Sequence, residues 1–172
     1  MVPQSRSAVT VSTSKRRLLV AVVLDNSRSA NSGVAMQYVE AFERMGYSVP
    51  APRQDWTAES DTGICITLWR SELGFRNGKP WVDTRVHAGD NSIWKNKPGN
   101  RKRIAPLQRA LDEFDGWVDA IIVHGHPGES YGSADPWILE DRRQMRWQVT
   151  WIDPETGHFT AEPMSYPKRP AA

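Results

Sequence analysis

Residues 117–132 read "WVDAIIVHGHPGESYG". The near-continuous apolar run Val118–Val123 reads as a buried strand, and residues 124–136 as the loop that follows it. The loop holds two chemical suggestions. Gly128-Glu129-Ser130-Tyr131-Gly132 satisfies G-x-S-x-G, and His124 and His126 stand two apart. A nucleophile elbow needs its serine on a tight turn between a strand and a helix, with an acid and a histidine further on. Ser130 lies seven residues beyond the strand end, "SADPW" is no helix-forming run, and the chain is too short for a hydrolase sheet of that kind. The downstream candidates His158, Asp135, Asp141 and Asp153 therefore have no nucleophile to serve. The histidines support a different chemistry. In extended chain residues two apart project to one side. His124 and His126, joined by Glu129 and by Asp83, His87 or Asp90, would form a set able to hold a divalent ion such as zinc or manganese and activate a water. H-x-H alone is a weak signal, and a polar loop with hydrogen-bonded histidines is the plainer reading.

Working outward, residues 145–162, "MRWQVTWIDPETGHFTAE", predict a hairpin turning at "DPETG", with Met145, Trp147, Val149 and Trp151 on one face. "GICITLWR" at 63–70 predicts a strand. Asn77-Gly78 predicts a hairpin turn leading into "WVDTRVH" at 81–87 as the partner strand. Ile104, Leu107, Leu111 and Phe114 mark one helix face. Pro106 belongs in a first turn, so this helix is expected to begin near Arg103. A second helix is expected over Val34–Met45, capped by Asn31 or Ser32 and stopped by Gly46. Before it, residues 16–25 read as a central strand rather than a leader segment, and 26–33, "NSRSANSG", as a capped loop in which Arg28, Asn31 and Ser32 are minor candidates for phosphate. "YSVPAP" at 47–52 reads as a short strand, while 51–62 and 88–100 read as polar loops. A helical turn is expected within 137–143. The sum is an α/β or α+β fold in a single domain: a mixed sheet of five to seven strands, two main helices and a C-terminal hairpin. Residues 1–14 are expected to be a flexible arm, 15–164 the globular domain and 165–172 a flexible tail.

The chain has 172 residues, 39% of them hydrophobic and 24% charged, enough to bury a core without staples. A single cysteine, Cys65, excludes an internal disulfide framework and reads as a core residue of a cytoplasmic protein. No run approaches the roughly 18 apolar residues of a membrane span. The eight tryptophans are expected to fill the core or line a groove, a minority serving as stacking platforms.

The net charge is only +2, yet residues 94–103, "WKNKPGNRKR", gather Lys95, Lys97, Arg101, Lys102 and Arg103 without one acid. The last three are expected in or just before the first helical turn, where the macrodipole already disfavours cations. Asp112, Glu113 and Asp115 sit at the other end, also against the dipole. A bound phosphate would remove the conflict at the start, with Trp94 stacking on a base. The expected function is thus a nucleic-acid-interacting domain that grips DNA or RNA phosphates through Trp94, Lys95, Lys97, Arg101, Lys102 and Arg103. Two alternatives stand beside it. One is a metal-dependent hydrolase or nuclease using His87, His124, His126 and Glu129, with a divalent ion on His124, His126 and Asp83. The other is a protein-interaction or assembly module, including a homo-oligomer.

Overall fold

The computed structural model describes residues 36–88, 92–128 and 131–167. The expected first strand at 16–25, the loop at 26–33, the arm at 1–14, and Asp90, Glu129 and Ser130 lie outside those residues.

The fold is mixed α/β. Helix α1 (Tyr38–Arg44) buries Tyr38, Ala41 and Phe42, the i, i+3, i+4 face. Its cap is Gln37, rather than Asn31 or Ser32, and Gly46 at φ +83° ends it by donating to the Glu43 carbonyl. "YSVPAP" forms no strand, although Tyr47 and Val49 are buried. The expected loop at 51–62 instead contains β1 (Thr57–Ser60), paired antiparallel with β2 (Gly63–Trp69). Only Ala58 of β1 is buried, so its polar sequence hid the strand.

Beyond β2 the chain forms a hairpin of β3 (Leu73–Arg76) and β4 (Lys79–Asp83), turning at Asn77 and Gly78, both at positive φ. The turn is where the sequence placed it, but the strands differ. The partner of β4 is 73–76, and β4 stops at Asp83. There the Asp83 carboxylate accepts the Arg85 N–H and starts a single helical turn, α2 (Thr84–His87). The strand expected to run through His87 therefore ends at Asp83, and Val86 is exposed.

Helix α3 (Pro98–Glu113) begins five residues before the expected start, because Pro98 rather than Pro106 occupies the first turn. Pro106 is interior and buried, so the Lys102 carbonyl forgoes its helical donor and the pyrrolidine ring joins the packed face. The helix closes where Gly116, at φ +78°, donates to the Ala110 carbonyl at 2.7 Å.

Strand β5 (Trp117–Gly125) is central. On one edge it pairs parallel with β2, Cys65 opposite Asp119 through Trp69 opposite Val123. Along the other edge its start pairs with β7 (Met145–Ile152), and its end pairs with β6 (Tyr131–Pro136), which forms the last six residues of the expected 124–136 loop. Strand β8 (Phe159–Ser165) completes the C-terminal hairpin, and Glu140–Arg142 forms the expected short helical turn. The eight strands make one open sheet, ordered β1-β2-β5-β7-β8-β4-β3 with β6 beside β5. A bulge at Thr150 reverses the alternation of β7. Trp151 turns outward beneath Arg85, and Ile152 takes the inward place.

Both faces of β2 and β5 are covered. Ile64, Ile66, Leu68, Val118, Ala120 and Ile122 meet Leu107 and Ala110 of α3. Cys65, Trp69, Ile121 and Val123 meet Tyr38 and Phe42 of α1. Burial on two sides is why these strands read as continuous apolar runs. Cys65 is a fully buried core residue, as expected. Ser165 and Tyr166, expected in a flexible tail, are docked: Tyr166 donates to the Gln144 carbonyl at 3.0 Å and packs edge-on against Trp117. Among the described residues no helix is long and apolar enough to cross a membrane.

Candidate functional site

The basic stretch does not form one surface. Helical periodicity places Asn100, Arg103, Leu107 and Ala110 on the face that packs against the sheet, and all four are buried. Arg103 is 2% exposed, its guanidinium carbon 5.0 Å from the Phe159 ring and 5.2 Å from those of Trp56 and Trp94. One Nη donates to the Gly157 carbonyl at 3.3 Å. Arg103 therefore cannot grip a phosphate. Trp94 cannot stack on a base: it is 1% exposed, and its indole N–H donates to the Ala88 carbonyl at 3.1 Å. Lys102 is tied to Asp55 at 2.7 Å. Lys95, Lys97 and Arg101 remain exposed. Because α3 starts at Pro98, Arg101, Lys102 and Arg103 lie beyond the first three helical positions, and the dipole conflict is milder than the sequence implied.

The carboxylate opposing Arg103 is Glu72, in the short turn Arg70–Glu72 after β2. It is fully buried, and burial lifts its pKa to about 7 against the lowering influence of Arg103. Burial pulls the Arg103 guanidinium down to about 10, so it stays charged at neutral pH. The Trp69 backbone N–H also pulls the Glu72 pKa down, while Nε and Nη1 of Arg103 have no hydrogen-bond partner. This pair is an internal feature of the core under α3.

A recess opens beside the start of α3, with a volume of about 150 Å³. Trp56, Trp69 and Tyr131 supply aromatic walls, with Trp69 5.8 Å from Trp56 and 6.2 Å from Tyr131 between ring centres. Arg53 and Lys97, both exposed, stand at its edge. Gly99, in the first turn of α3, and Gly128, in the turn after β5, complete it. A Cβ at Gly128 would lie 3.2 Å from the Lys97 side chain, so the histidine-bearing turn rests directly on the basic segment. The Tyr131 hydroxyl donates to the Pro52 carbonyl at 3.1 Å, and burial raises its pKa. Trp69 is 1% exposed and its indole N–H has no acceptor. Two exposed cations and the first turn of α3 thus border one small space.

The histidines behave differently. His124 Nε2 lies 3.3 Å from Asp135 Oδ2 across the β5–β6 pair, both side chains exposed. His126 is exposed in the turn. His87 packs edge-on against Trp81 at 4.6 Å. Asp83 is held by Arg85 through two bonds of 2.9 and 2.7 Å, and that hydrogen bonding lowers its pKa. Among the described residues no group of three or more His, Cys, Asp or Glu side chains could hold a metal, so Asp83, His124 and His126 do not form the expected ligand set. Gly128 is followed by strand β6 rather than a helix, which is not the framework of a nucleophile elbow.

Sequence reasoning missed Arg53, Trp56, Trp69 and Tyr131, which come from three separate segments with no shared motif. It also missed a larger cleft of about 490 Å³ where β4 leaves β8, lined by Arg76, Lys79, Trp81, Thr150, Thr160 and Glu162. Strands β4 and β8 pair only at Val82–Ala161 and Asp83–Thr160, so the hairpin tip stands away from the sheet. The charges at Arg76 and Lys79 beside Asn77-Gly78 were the one legible signal there. No protein-family model matches this chain, and comparison with curated proteins and with solved structures finds no match either.

Proposed function

We propose that the chain is a nucleic-acid-interacting domain that seats backbone phosphate at the start of α3. The observation carrying this reading is the recess itself, where the exposed cations Arg53 and Lys97 stand beside the first turn of α3. Lys95 and Arg101 extend the cationic rim, while Arg103 and Trp94 act as framework. Anisotropy titrations with labelled single-stranded and duplex DNA and RNA test it, at 50 and 200 mM salt and with and without divalent metal. With about four cations engaged, affinity for single strands should fall roughly 50-fold over that range. Joint replacement of Arg53, Lys97 and Arg101 by Ala should flatten the dependence. Affinity indifferent to salt would remove the reading. A cytoplasmic setting goes with it, supported by the free, buried Cys65.

One observation favours a second reading, a protein-contact module: β3 is an end strand of the sheet and its Phe75 is 66% exposed. Concentration-dependent mass in solution, abolished by Phe75→Lys, is its expected sign.

A further inference from the structure

We propose that the two end strands of the sheet recognise each other between copies of this chain, the β3 edge of one copy taking the β1 edge of the next; this rests on the protein-contact reading above. The first ground is the pair of open edges. Strands β1 and β3 close the strand order at its two ends, both are four residues long, and no described strand pairs with the outer edge of either. An end strand offers a row of unpaired backbone donors and acceptors. In β3 neither a proline nor a bulge stands against such pairing.

The second ground is direction. Five of the six pairings that link β1 to β3 are antiparallel, and one, β2 with β5, is parallel. The two end strands therefore run in opposite senses. A second copy set beside the first in the same orientation brings β1 antiparallel onto β3, the more stable kind of ladder.

The third ground is charge. Arg70, Arg76 and Lys79 flank β3, all exposed, and the one acid between them, Glu72, is buried. Even with Glu162 across the cleft behind β4, that edge keeps a positive excess. At the other end Glu59 and Glu113 share one cation, Arg109, at 3.0 and 2.8 Å, and Asp61 is exposed in the turn after β1. Three carboxylates against one guanidinium make this edge acidic. Two β3 edges repel each other, whereas β3 and β1 attract. Phe75 shares a side of β3 with Leu73, which packs on the core under α3. In the next copy Arg109 of α3 flanks β1 on that same side, so the docking covers the exposed ring.

A head-to-tail contact of this kind does not close on itself. Sedimentation velocity of the full chain should therefore show mass rising with concentration beyond a dimer, with association about fivefold weaker at 200 than at 50 mM salt. The joint variant Arg76→Glu with Lys79→Glu should be monomeric, as should Asp61→Lys with Glu113→Lys. All four positions are exposed, so folding is not at stake. Mixing the two variants should restore association, because each supplies the edge that the other lacks.

A series that stops at a dimer, or association indifferent to salt, overturns the β1 partner and leaves the protein-contact reading standing. Variants that stay apart when mixed overturn the match of charges and the inference with it. If the wild-type chain associates at no concentration, the protein-contact reading falls as well.

Discussion

The indole of Trp56 packs so closely on Gly99 that a Cβ at residue 99 would overlap its Nε1 and Cε2 atoms. Two effects of Gly99→Ala therefore oppose each other. Alanine should gain up to about 1 kcal/mol of helix propensity, less near a helix end. Overlap with a buried ring costs about 1–3 kcal/mol, since Trp56 is packed against Arg103 and Trp69 and shifting it would disturb both contacts. We expect net destabilisation of about 1–2 kcal/mol in urea unfolding, with a shifted tryptophan spectrum. A stabilised variant would show that the ring is free to move.

Glu72 makes stability depend on pH. Its pKa is raised in the folded protein to about 7, from 4.5 as the ordinary value, chiefly by burial. Between those values the folded state holds a proton that the unfolded chain has released, so stability falls as pH rises through this window and levels off above it. The loss from pH 5 to 7 should be on the order of 2 kcal/mol, and Glu72→Gln should remove that component. Parallel profiles for wild type and variant would place the Glu72 carboxyl in water.

Arg103 is the positive charge that partly holds Glu72 down. Replacing Arg103 by Met keeps contact with Trp56, Trp94 and Phe159 but leaves an uncompensated buried carboxylate, at a cost of about 3–5 kcal/mol at pH 8. The cost should shrink at pH 5.5, where Glu72 is protonated, and in the double variant with Glu72→Gln. Strict additivity of the two substitutions would mean that the charges do not sense each other.

Asp55 neutralises Lys102 at 2.7 Å and also accepts the Ala51 N–H at 2.9 Å. Asp55→Asn keeps an acceptor for that amide while freeing the lysine. Stability should change by less than about 1 kcal/mol, because Lys102 is half exposed. Nucleic-acid affinity should rise roughly threefold at low salt, with a steeper salt dependence. A fall in affinity would argue against phosphate contact on this face.

Several elements were legible because local rules decide them. Asn77-Gly78 demands a tight hairpin turn through its positive φ values, "DPETG" turns β7 into β8, and Gly46 stops α1. The double-sided burial of β2 and β5 was written in their unbroken apolar runs. Strands β1 and β6 were not legible, since each is a short, mostly polar strand drawn into the sheet by the backbone of its neighbour. The end of β4 turned on one carboxylate capping α2, and the face of Trp151 on one bulge.

By itself the sequence determined the fold class, the two turns, the central strands and a local excess of positive charge. Tertiary structure alone decided what that charge does. It buried Arg103 among three aromatic rings against Glu72, tied Lys102 to Asp55, and brought Trp56, Trp69 and Tyr131 to the start of α3. The reason is physical: local propensity and periodicity act within a few residues, whereas burial and pairing of a side chain depend on segments tens of residues away that meet only when the sheet closes over the helix.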